Sequence, residues 1–172
     1  ISVIIPTLNR KTLLKRALSS VFSQTLPPNE VIVVDNGSTD GTAKMLSNEF
    51  PGVICIEEDK KGVSVARNVG ILKATSEWIA LLDSDDVWHP KKLDTQRGEY
   101  NRSGQRHRLI HTNELWYKNN KFMNQKFIHA KKGGDIFFDC VKRCCISPSS
   151  SLIKAEVFYE IGLFKEKLSV CE

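Results

Sequence analysis

The sequence of 172 residues contains no long apolar run, since no stretch approaches the roughly 20 consecutive apolar residues of a membrane-spanning helix. It also contains no even, regularly spaced set of cysteines. Its five cysteines therefore argue against a disulfide scaffold and favour a reducing compartment. A zinc site at Cys140, Cys144 and Cys145 is not expected, because no second ligand pair stands at a usable spacing. We expect Cys55, in the apolar stretch VICIEE, to be a small core residue.

Two nucleotide-binding motifs are missing as well. No G-x-G-x-x-G follows the first apolar run, which argues against a dinucleotide-dependent oxidoreductase. The segment TLNRKTLLKRA has no glycine, whereas a nucleotidylyltransferase would be expected to carry a glycine-rich loop near residue 10. The basic run at residues 102–108 has no interleaved aromatic residues, so nucleic acid is not an expected partner.

The sequence does contain a moderate excess of positive charge. It has 25 Lys and Arg against 20 Asp and Glu, a formal net charge of +5. This excess favours anionic partners, such as nucleotides or phospholipid headgroups, without choosing among them. The length fits one domain, and the 41% hydrophobic and 26% charged residues are typical of a soluble globular chain.

Short apolar runs alternate with helical patterns along the first 105 residues. The predicted strands are residues 2–7, 30–35, 53–58 and 77–83, and the predicted helices between them are residues 11–24, 41–50 and 63–75. Near-continuous apolar strands in this alternation predict an α/β fold with a mostly parallel central sheet and helices on both faces. We expect one domain, with a nucleotide-binding half at 1–105. The mixed half at 106–172 begins with paired strands around Asn119-Asn120 and would cover or complete the site.

Polar residues follow three of the predicted strands. Pro6, Thr7 and Asn9 follow the first strand, Asp35 ends the second, and the fourth ends in residues 83–86, Asp-Ser-Asp-Asp. The carboxyl ends of parallel strands share one edge of the sheet, where ligands bind in open α/β folds. Asp35 has two interpretations: a carboxylate that accepts a hydrogen bond from a nucleobase, or the first residue of an Asx-turn in DNGSTDG.

The acidic run after the fourth predicted strand needs a compensating charge, because close carboxylates repel one another. Mg²⁺ and Mn²⁺ are usually held by one or two carboxylates together with substrate phosphates, which suits Asp83 and Asp85. The alternative is a polar turn in which Asp86 caps the helix that begins near Pro90. Arg67, in KGVSVARNVG, is either a guanidinium that binds a diphosphate or a surface arginine.

Five segments, in their order and spacing, resemble the family 2 glycosyltransferases of the GT-A fold. They are SVIIPTLNR, EVIVVDNGSTDGT, GVSVARNVGILKAT, WIALLDSDDVWHPKKL and CISPSSSLIKAEVFYEIGLFKEKL. The resemblance covers essentially the whole chain. It implies an inverting transferase that uses a nucleotide-diphosphate sugar, most often UDP-linked, a divalent metal, Mn²⁺ or Mg²⁺, and a saccharide or lipid-linked acceptor.

The resemblance also implies roles for individual residues. These are Pro6, Thr7 and Asn9 around the nucleoside, Asp35 at the base, Arg67 near the base and phosphates, Asp83 at the ribose, Asp85 at the metal, and Ser149 or alternatively Ser150 facing the sugar. Family members carry a Glu-Asp pair after the GLFKEKL-type segment, and its aspartate is generally taken as the base that deprotonates the acceptor. Glu172 matches the first member of that pair. We therefore expect a C-terminal truncation, with Glu172 as the catalytic candidate and the usual base just beyond it.

A second class of function stays open, namely a catalytically silent module or transferase fragment that binds a nucleotide sugar. A processive polysaccharide synthase is not favoured, because transmembrane helices and a Gln-x-x-Arg-Trp motif do not occur among these residues. The expected location is cytoplasmic, and the net positive charge is compatible with peripheral contact at the inner face of a membrane.

Overall fold

The computed structural model describes residues 1–118 and 121–168 as eight strands, six α-helices and two short 3₁₀ turns. The strands are β1 (Ser2–Thr7), β2 (Glu30–Asp35), β3 (Ile54–Glu57), β4 (Trp78–Leu81), β5 (Leu109–His111), β6 (Trp116–Lys118), β7 (Lys121–Met123) and β8 (Ser151–Lys154). The helices are α1 (Lys11–Phe22), α2 (Thr42–Glu49), α3 (Val63–Lys73), α4 (Lys92–Arg102), α5 (Phe137–Lys142) and α6 (Ala155–Ile161). The 3₁₀ turns are Phe127–His129 and Pro148–Ser150.

Six strands form the main sheet in the order β3-β2-β1-β4-β8-β5, and β6 pairs with β7 in a separate antiparallel sheet. Strands β1 to β4 run parallel, as predicted from their apolar runs. Strand β8 is antiparallel to both β4 and β5. The second half of the chain therefore completes the main sheet instead of folding apart from it.

Helices cover both faces of the main sheet, which confirms the α/β prediction. On one face, Leu14 of α1, Met45 of α2 and Leu93 of α4 pack against β1, β2 and β4. On the other face, Ile71 of α3 and Phe158 of α6 pack against β1, β4 and β8. Burial of these side chains is the main favourable contribution to the stability of such a sheet.

Gly70 lets α3 lie directly on β1. A Cβ atom at this position would lie only 2.4 Å from Cγ2 of Ile4, so the helix can approach the strand only where the side chain is missing. Because α3 runs back along the parallel strands, its N-terminus lies at the carboxyl edge of the sheet. This packing brings the start of α3 to the edge where the polar strand ends meet.

Three sequence expectations about single residues are wrong. Cys55 is exposed because β3 is the edge strand of the sheet, and its neighbour Ile54 is also exposed. Asp86 does not cap α4, whose N-cap residue is Lys91 and which has no side-chain cap hydrogen bond in the described structure. The apolar pattern of residues 11–24 predicts Phe22 on the same helical face as Leu14, Leu18 and Val21. Phe22 is instead exposed and stacks against Phe50 with ring centroids 5.8 Å apart.

The predicted pairing around Asn119-Asn120 is confirmed for β6 and β7, although these two asparagines lie outside the described residues. The sequence predicts that the first strand of this pair begins at Arg108, but residues 109–111 instead form β5 at the edge of the main sheet. Glu172 also lies outside the described residues. Within residues 1–118 and 121–168, no helix combines the length and the apolar character that crossing a membrane requires.

Candidate functional site

A cleft of about 740 Å³ opens at the carboxyl edge of the sheet, between the ends of β1 and β4. The strand order reverses at this point, because β2 lies on one side of β1 and β4 on the other. Such switch points are where open α/β sheets bind their ligands. The cleft is lined by Pro6, Thr7, Leu8, Arg10, Asn36, Lys61, Gly62, Val63, Ala66, Arg67, Asp83, Ser84 and Asp85.

The acidic loop after β4 supplies Asp83 and Asp85 to this cleft. The loop is a tight turn, in which the backbone N–H of Asp86 donates to the carbonyl of Asp83 at 3.0 Å. Removal from water raises the pKa of the Asp86 carboxyl, a hydrogen bond with Ser149 opposes this, and the charges of Asp83 and Asp85 raise it further. The three carboxylates therefore lie close enough to repel one another, as the sequence predicted.

Two arginines balance this negative charge. Nη2 of Arg67 lies 2.8 Å from Oδ1 of Asp83, and Nη1 of Arg10 lies 2.7 Å from Oδ2 of Asp85. The two pairs differ in exposure, because the Arg67 side chain is 7% exposed whereas those of Arg10 and Asp85 are nearly half exposed. The Arg67–Asp83 pair is therefore part of the built site, and the Arg10–Asp85 pair stands at its mouth.

Arg67 is held by contacts on a second side. The ring of Phe164 lies with its centroid 5.6 Å from the Arg67 guanidinium carbon. Asn68, the next residue of α3, donates to the Phe164 carbonyl and accepts from its N–H, each at 2.9 Å. The segment that follows α6 is thus hydrogen-bonded to α3, and its Phe164 ring covers Arg67.

The carboxylates of Asp83 and Asp85 suit a divalent cation whose remaining coordination positions are filled by oxygen atoms of a bound ligand. Within residues 1–118 and 121–168, no group of three or more His, Cys, Asp or Glu side chains is arranged to hold a metal alone. Mg²⁺ and Mn²⁺ sites usually need only one or two carboxylates when substrate phosphates supply the other oxygens. Asp85, partly exposed at the mouth of the cleft beside Asp83, suits that smaller set.

Asn36 fixes the loop that leads into α3. Its Nδ2 donates to the carbonyls of Glu58 and Lys60, and its Oδ1 accepts from the N–H of Gly62, all at 2.8 Å. The Lys61 ammonium donates to the Asn36 carbonyl. This arrangement directs the N-terminus of α3 into the cleft, where the helix dipole and free N–H groups attract anions.

Asn9 and Asp35 border the cleft and do not line it. Oδ1 of Asp35 accepts from the N–H of Ser38, three residues further on, at 2.9 Å, whereas an Asx-turn would use the N–H two residues further on. Oδ1 of Asn9 accepts from the N–H of Thr39 at 2.7 Å, and the N–H of Asn9 donates to Oγ of Ser38 at 2.8 Å. Asn9 therefore joins the loops after β1 and β2 beside the cleft, and Asp35 stabilises the turn within the second of these loops.

Pro6 and Thr7 line the cleft as expected. The hydroxyl of Thr7 is buried and has no hydrogen-bond partner within the described ranges, so it is available to a ligand. Ser149 is buried behind the acidic loop, where its Oγ accepts from the N–H of Asp83 at 3.0 Å and its carbonyl accepts from Nε1 of Trp88 at 2.8 Å. Ser149 positions the loop and is not part of the cleft lining.

Five of the nine site residues expected from the sequence thus line one cleft: Pro6, Thr7, Arg67, Asp83 and Asp85. Sequence reasoning gave no binding role to the cationic side chains of Arg10 and Lys61 or to Asn36. Arg10 and Asn36 lie in the loops after β1 and β2, and Lys61 lies in the loop after β3. Their position after strand ends is the sequence signal that could have indicated a role in binding.

The architecture of the chain is shared by solved structures of GT-A transferases. The chain aligns over 99% of its length with Staphylococcus aureus TarS 1-349 in complex with UDP-GlcNAc, at a TM-score of 0.79 and 21% identity, and covers 50% of that chain. It aligns over 97% of its length with the mannosyltransferase PcManGT from Pyrobaculum calidifontis in complex with GDP-Man and Mn²⁺, at a TM-score of 0.70 and 22% identity, and covers 48% of that chain.

Residues 2–162 match the family model described as "Glycosyl transferase family 2", and the chain therefore belongs to that family. Among curated relatives, it is 40% identical over 100 residues to the glycosyltransferase AglE of Haloferax volcanii, which is 55% of this chain and 33% of AglE. The chain spans 40% or less of the length of the first curated relatives that it matches.

Proposed function

We propose that this chain binds a UDP-linked sugar together with Mn²⁺ or Mg²⁺ and serves an inverting glycosyltransferase whose acceptor is a saccharide or a lipid-linked saccharide. The observation that carries the proposal is the meeting of two carboxylates and two arginines in one cleft at the switch point of the sheet. The volume of about 740 Å³ falls within the range of about 300–1,000 Å³ that is usual for small-molecule pockets.

The diphosphate would lie between the start of α3 and the acidic loop. Lys61 and Arg67 line this part of the cleft, and Arg10 reaches it from the loop after β1. A planar guanidinium pairs with phosphate oxygens through two hydrogen bonds, so Arg67 and Arg10 suit this role. Both would stabilise the charge that develops on the departing diphosphate.

The nucleoside would lie over the ends of β1 and β2. Pro6 and the unpartnered hydroxyl of Thr7 face this region, and buried Asp35 ends the adjacent strand. An aspartate accepts from the imide N–H of uracil, so Asp35 is our proposed contact for the base of UDP. Guanine also offers N–H donors to a carboxylate, which makes GDP the competitor to test. We assign the ribose contact to Asp83, which shares the cleft with these residues.

Asp85 is our proposed metal ligand. A divalent cation beside a diphosphate would neutralise part of its charge and so favour its departure. Asp85 would exchange its contact with Arg10 for the cation, and Arg10 would then be available to the phosphates. Deprotonation of the acceptor requires a base, and Glu172, our candidate for that role, lies outside the described residues.

A thermal-shift and calorimetry experiment tests donor binding. We expect UDP to stabilise the chain only when Mn²⁺ or Mg²⁺ is present, by about 2.7 kcal/mol at a hundredfold excess over Kd. Asp85→Asn should abolish the additional stabilisation that the metal gives to the UDP complex. Asp94→Asn, on the exposed surface of α4, should leave it unchanged. Equal stabilisation by UDP with and without the metal would contradict the metal assignment, and stronger binding of GDP would contradict the choice of base.

Turnover of a UDP-sugar separates the enzyme from a silent binding module. Metal-dependent release of UDP in the presence of a saccharide acceptor supports the transferase. Metal-dependent UDP binding without any release supports the module instead. Inversion is checked by the anomeric configuration of the product, and retention of configuration would refute the single-displacement mechanism.

A further inference from the structure

The positive charge of the chain is concentrated in residues 116–145. This segment contains seven of the 25 Lys and Arg but only two of the 20 Asp and Glu. Its net charge is therefore +5, which equals that of the whole chain, and the remaining residues carry 18 charges of each sign. The basic residues are Lys118, Lys121, Lys126, Lys131, Lys132, Lys142 and Arg143.

The same segment exposes large apolar side chains. Phe127 is 94% exposed, and on α5 the side chains of Phe137, Phe138 and Val141 are 66%, 76% and 70% exposed. Residues at this spacing lie on one side of a helix, and none of the residues of α5 is buried. The rings of Phe137 and Phe138 contact each other with centroids 5.4 Å apart instead of packing on the core.

Glu114 holds this segment in a fixed position. Its carboxylate accepts from the hydroxyl of Ser147 and lies 3.0 Å from the ammonium of Lys131, and its carbonyl accepts from Nε2 of Gln125 at 2.9 Å. Lys131 also donates to the carbonyl of Cys145 at 2.9 Å. Glu114 thereby links Gln125 and Lys131, in the middle of the segment, to Ser147 just beyond its end.

Charge decides which partner fits this surface. A second copy of the chain would bring two +5 segments together, which is unfavourable. Lys and Arg next to exposed Phe and aliphatic side chains are instead typical of surfaces that lie at the interface of an anionic bilayer. The exposed side chains of Met123 and Val141 on the same surface offer no ring that could stack on a base, so a lipid suits the surface better than single-stranded RNA.

We propose that residues 116–118 and 121–145 form a membrane-docking surface for anionic phospholipids. Phe137, Phe138 and Val141 enter the boundary between headgroups and acyl chains, and exposed lysines such as Lys126 and Lys142 contact the headgroups. The surface does not share a residue with the cleft, so the inference stands without the proposed donor chemistry.

Sedimentation with lipid vesicles tests the proposal. The chain should bind phosphatidylcholine vesicles that contain phosphatidylglycerol and should bind pure phosphatidylcholine vesicles at least tenfold more weakly. Binding should weaken at high salt because the headgroup contacts are screened. Equal binding to both vesicle types, or no binding to either at low salt, would overturn the proposal.

Paired variants assign the effect to this surface. Phe137→Ser with Phe138→Ser, and separately Lys126→Gln with Lys142→Gln, should each weaken vesicle binding at least tenfold. The matched controls change equally exposed residues elsewhere: Tyr159→Ser with Ile161→Ser, and Lys44→Gln with Lys73→Gln. If these controls weaken binding as much as the segment variants do, the surface is wrongly assigned.

Two further outcomes name other partners and would overturn the lipid assignment. One is a concentration-dependent dimer in sedimentation velocity that Phe137→Ser with Phe138→Ser abolishes. The other is displacement of the chain from vesicles by single-stranded RNA at equal charge concentration. Thermal stability and the UDP-induced shift should be unchanged in all four variant pairs, which separates lost docking from lost folding or a failed donor site.

Discussion

The guanidinium of Arg67 donates to the carboxylate of Asp83 at 2.8 Å and so joins α3 to the loop after β4. The arginine is buried, whereas about a third of the Asp83 side chain is exposed in the cleft. One partner therefore belongs to the core of the protein and the other to its ligand site. Stability and binding are coupled through this pair.

The coupling is measurable with a double-mutant cycle. Arg67→Met keeps the apolar stem and removes the charge, and we expect it to lower the free energy of unfolding by about 1–3 kcal/mol. Asp83→Asn should cost less, because the amide oxygen still accepts from Arg67. Urea unfolding of both variants and of the double variant gives the interaction energy. A value near zero would show that the contact contributes nothing in solution.

Removing Arg10 should expose Asp85 to cations. Because the pair is nearly half exposed, it contributes about 0.2–1 kcal/mol, so Arg10→Ala should tighten Mn²⁺ binding to the nucleotide-free chain by about 1.4- to fivefold. The same variant should weaken UDP binding if Arg10 contacts the diphosphate. Calorimetric titration measures both, with Arg16→Ala, an exposed residue of α1, as the control. Unchanged Mn²⁺ affinity would mean that Arg10 does not compete for Asp85.

Two glycines in helices should respond in opposite ways to alanine. Gly70→Ala places a methyl group 2.4 Å from Ile4 and should lower the free energy of unfolding by about 1–3 kcal/mol. Gly98→Ala, on α4, meets nothing within 4 Å and should raise it by about 0.5–1 kcal/mol through helix propensity. Thermal or urea unfolding of the two variants decides this, and stabilisation by Gly70→Ala would show that α3 moves freely off β1.

Lys92 should make stability rise with pH. Burial lowers its pKa from 10.5 to about 7, although its Nζ donates to Oε1 of Gln96 at 2.9 Å and lies 4.1 Å from the Trp88 ring centroid. Between pH 7 and 10.5 the unfolded chain therefore holds a proton that the folded chain has released. The free energy of unfolding then increases with pH, by up to about 1.4 kcal/mol per unit for one proton.

Lys92→Met isolates this contribution. The unfolding free energy of the variant minus that of the parent should be largest below pH 7, where the buried Lys92 is charged. This difference should shrink as the pH rises toward 10.5. Urea unfolding from pH 6 to pH 9 provides the measurement. A difference that does not change with pH would show that Lys92 keeps its proton in the folded protein.

The sheet and its helices were predictable because their signal is local. Apolar runs mark β1, β2 and β4, and the polar residues that end them marked the edge where the cleft lies. The position of a strand within the sheet is not encoded by its local sequence. The apolar stretch around Cys55 therefore predicts a core residue, although β3 has a strand neighbour on one side only.

The contacts that hold the buried side chains of the site could not be predicted, because they join residues that are distant in the sequence. Arg67 and Asn68 are buried polar residues on α3, so hydrophobic periodicity gives no sign of their burial. Their partner Phe164 lies 96 residues further along the chain from Asn68. Likewise, Asn36 holds the loop at residues 58–62 through hydrogen bonds that no local pattern indicates.

Strands β5 and β8 are neighbours in the sheet, so the polypeptide departs at His111 and rejoins the adjacent strand at Ser151. The intervening stretch begins and ends at neighbouring residues of two paired strands. Its length is therefore not limited by the distance between its ends. Insertions or a new surface chemistry can therefore be accommodated in this stretch while Asp83 stays in place, as long as Ser149, which positions the loop of Asp83, is kept.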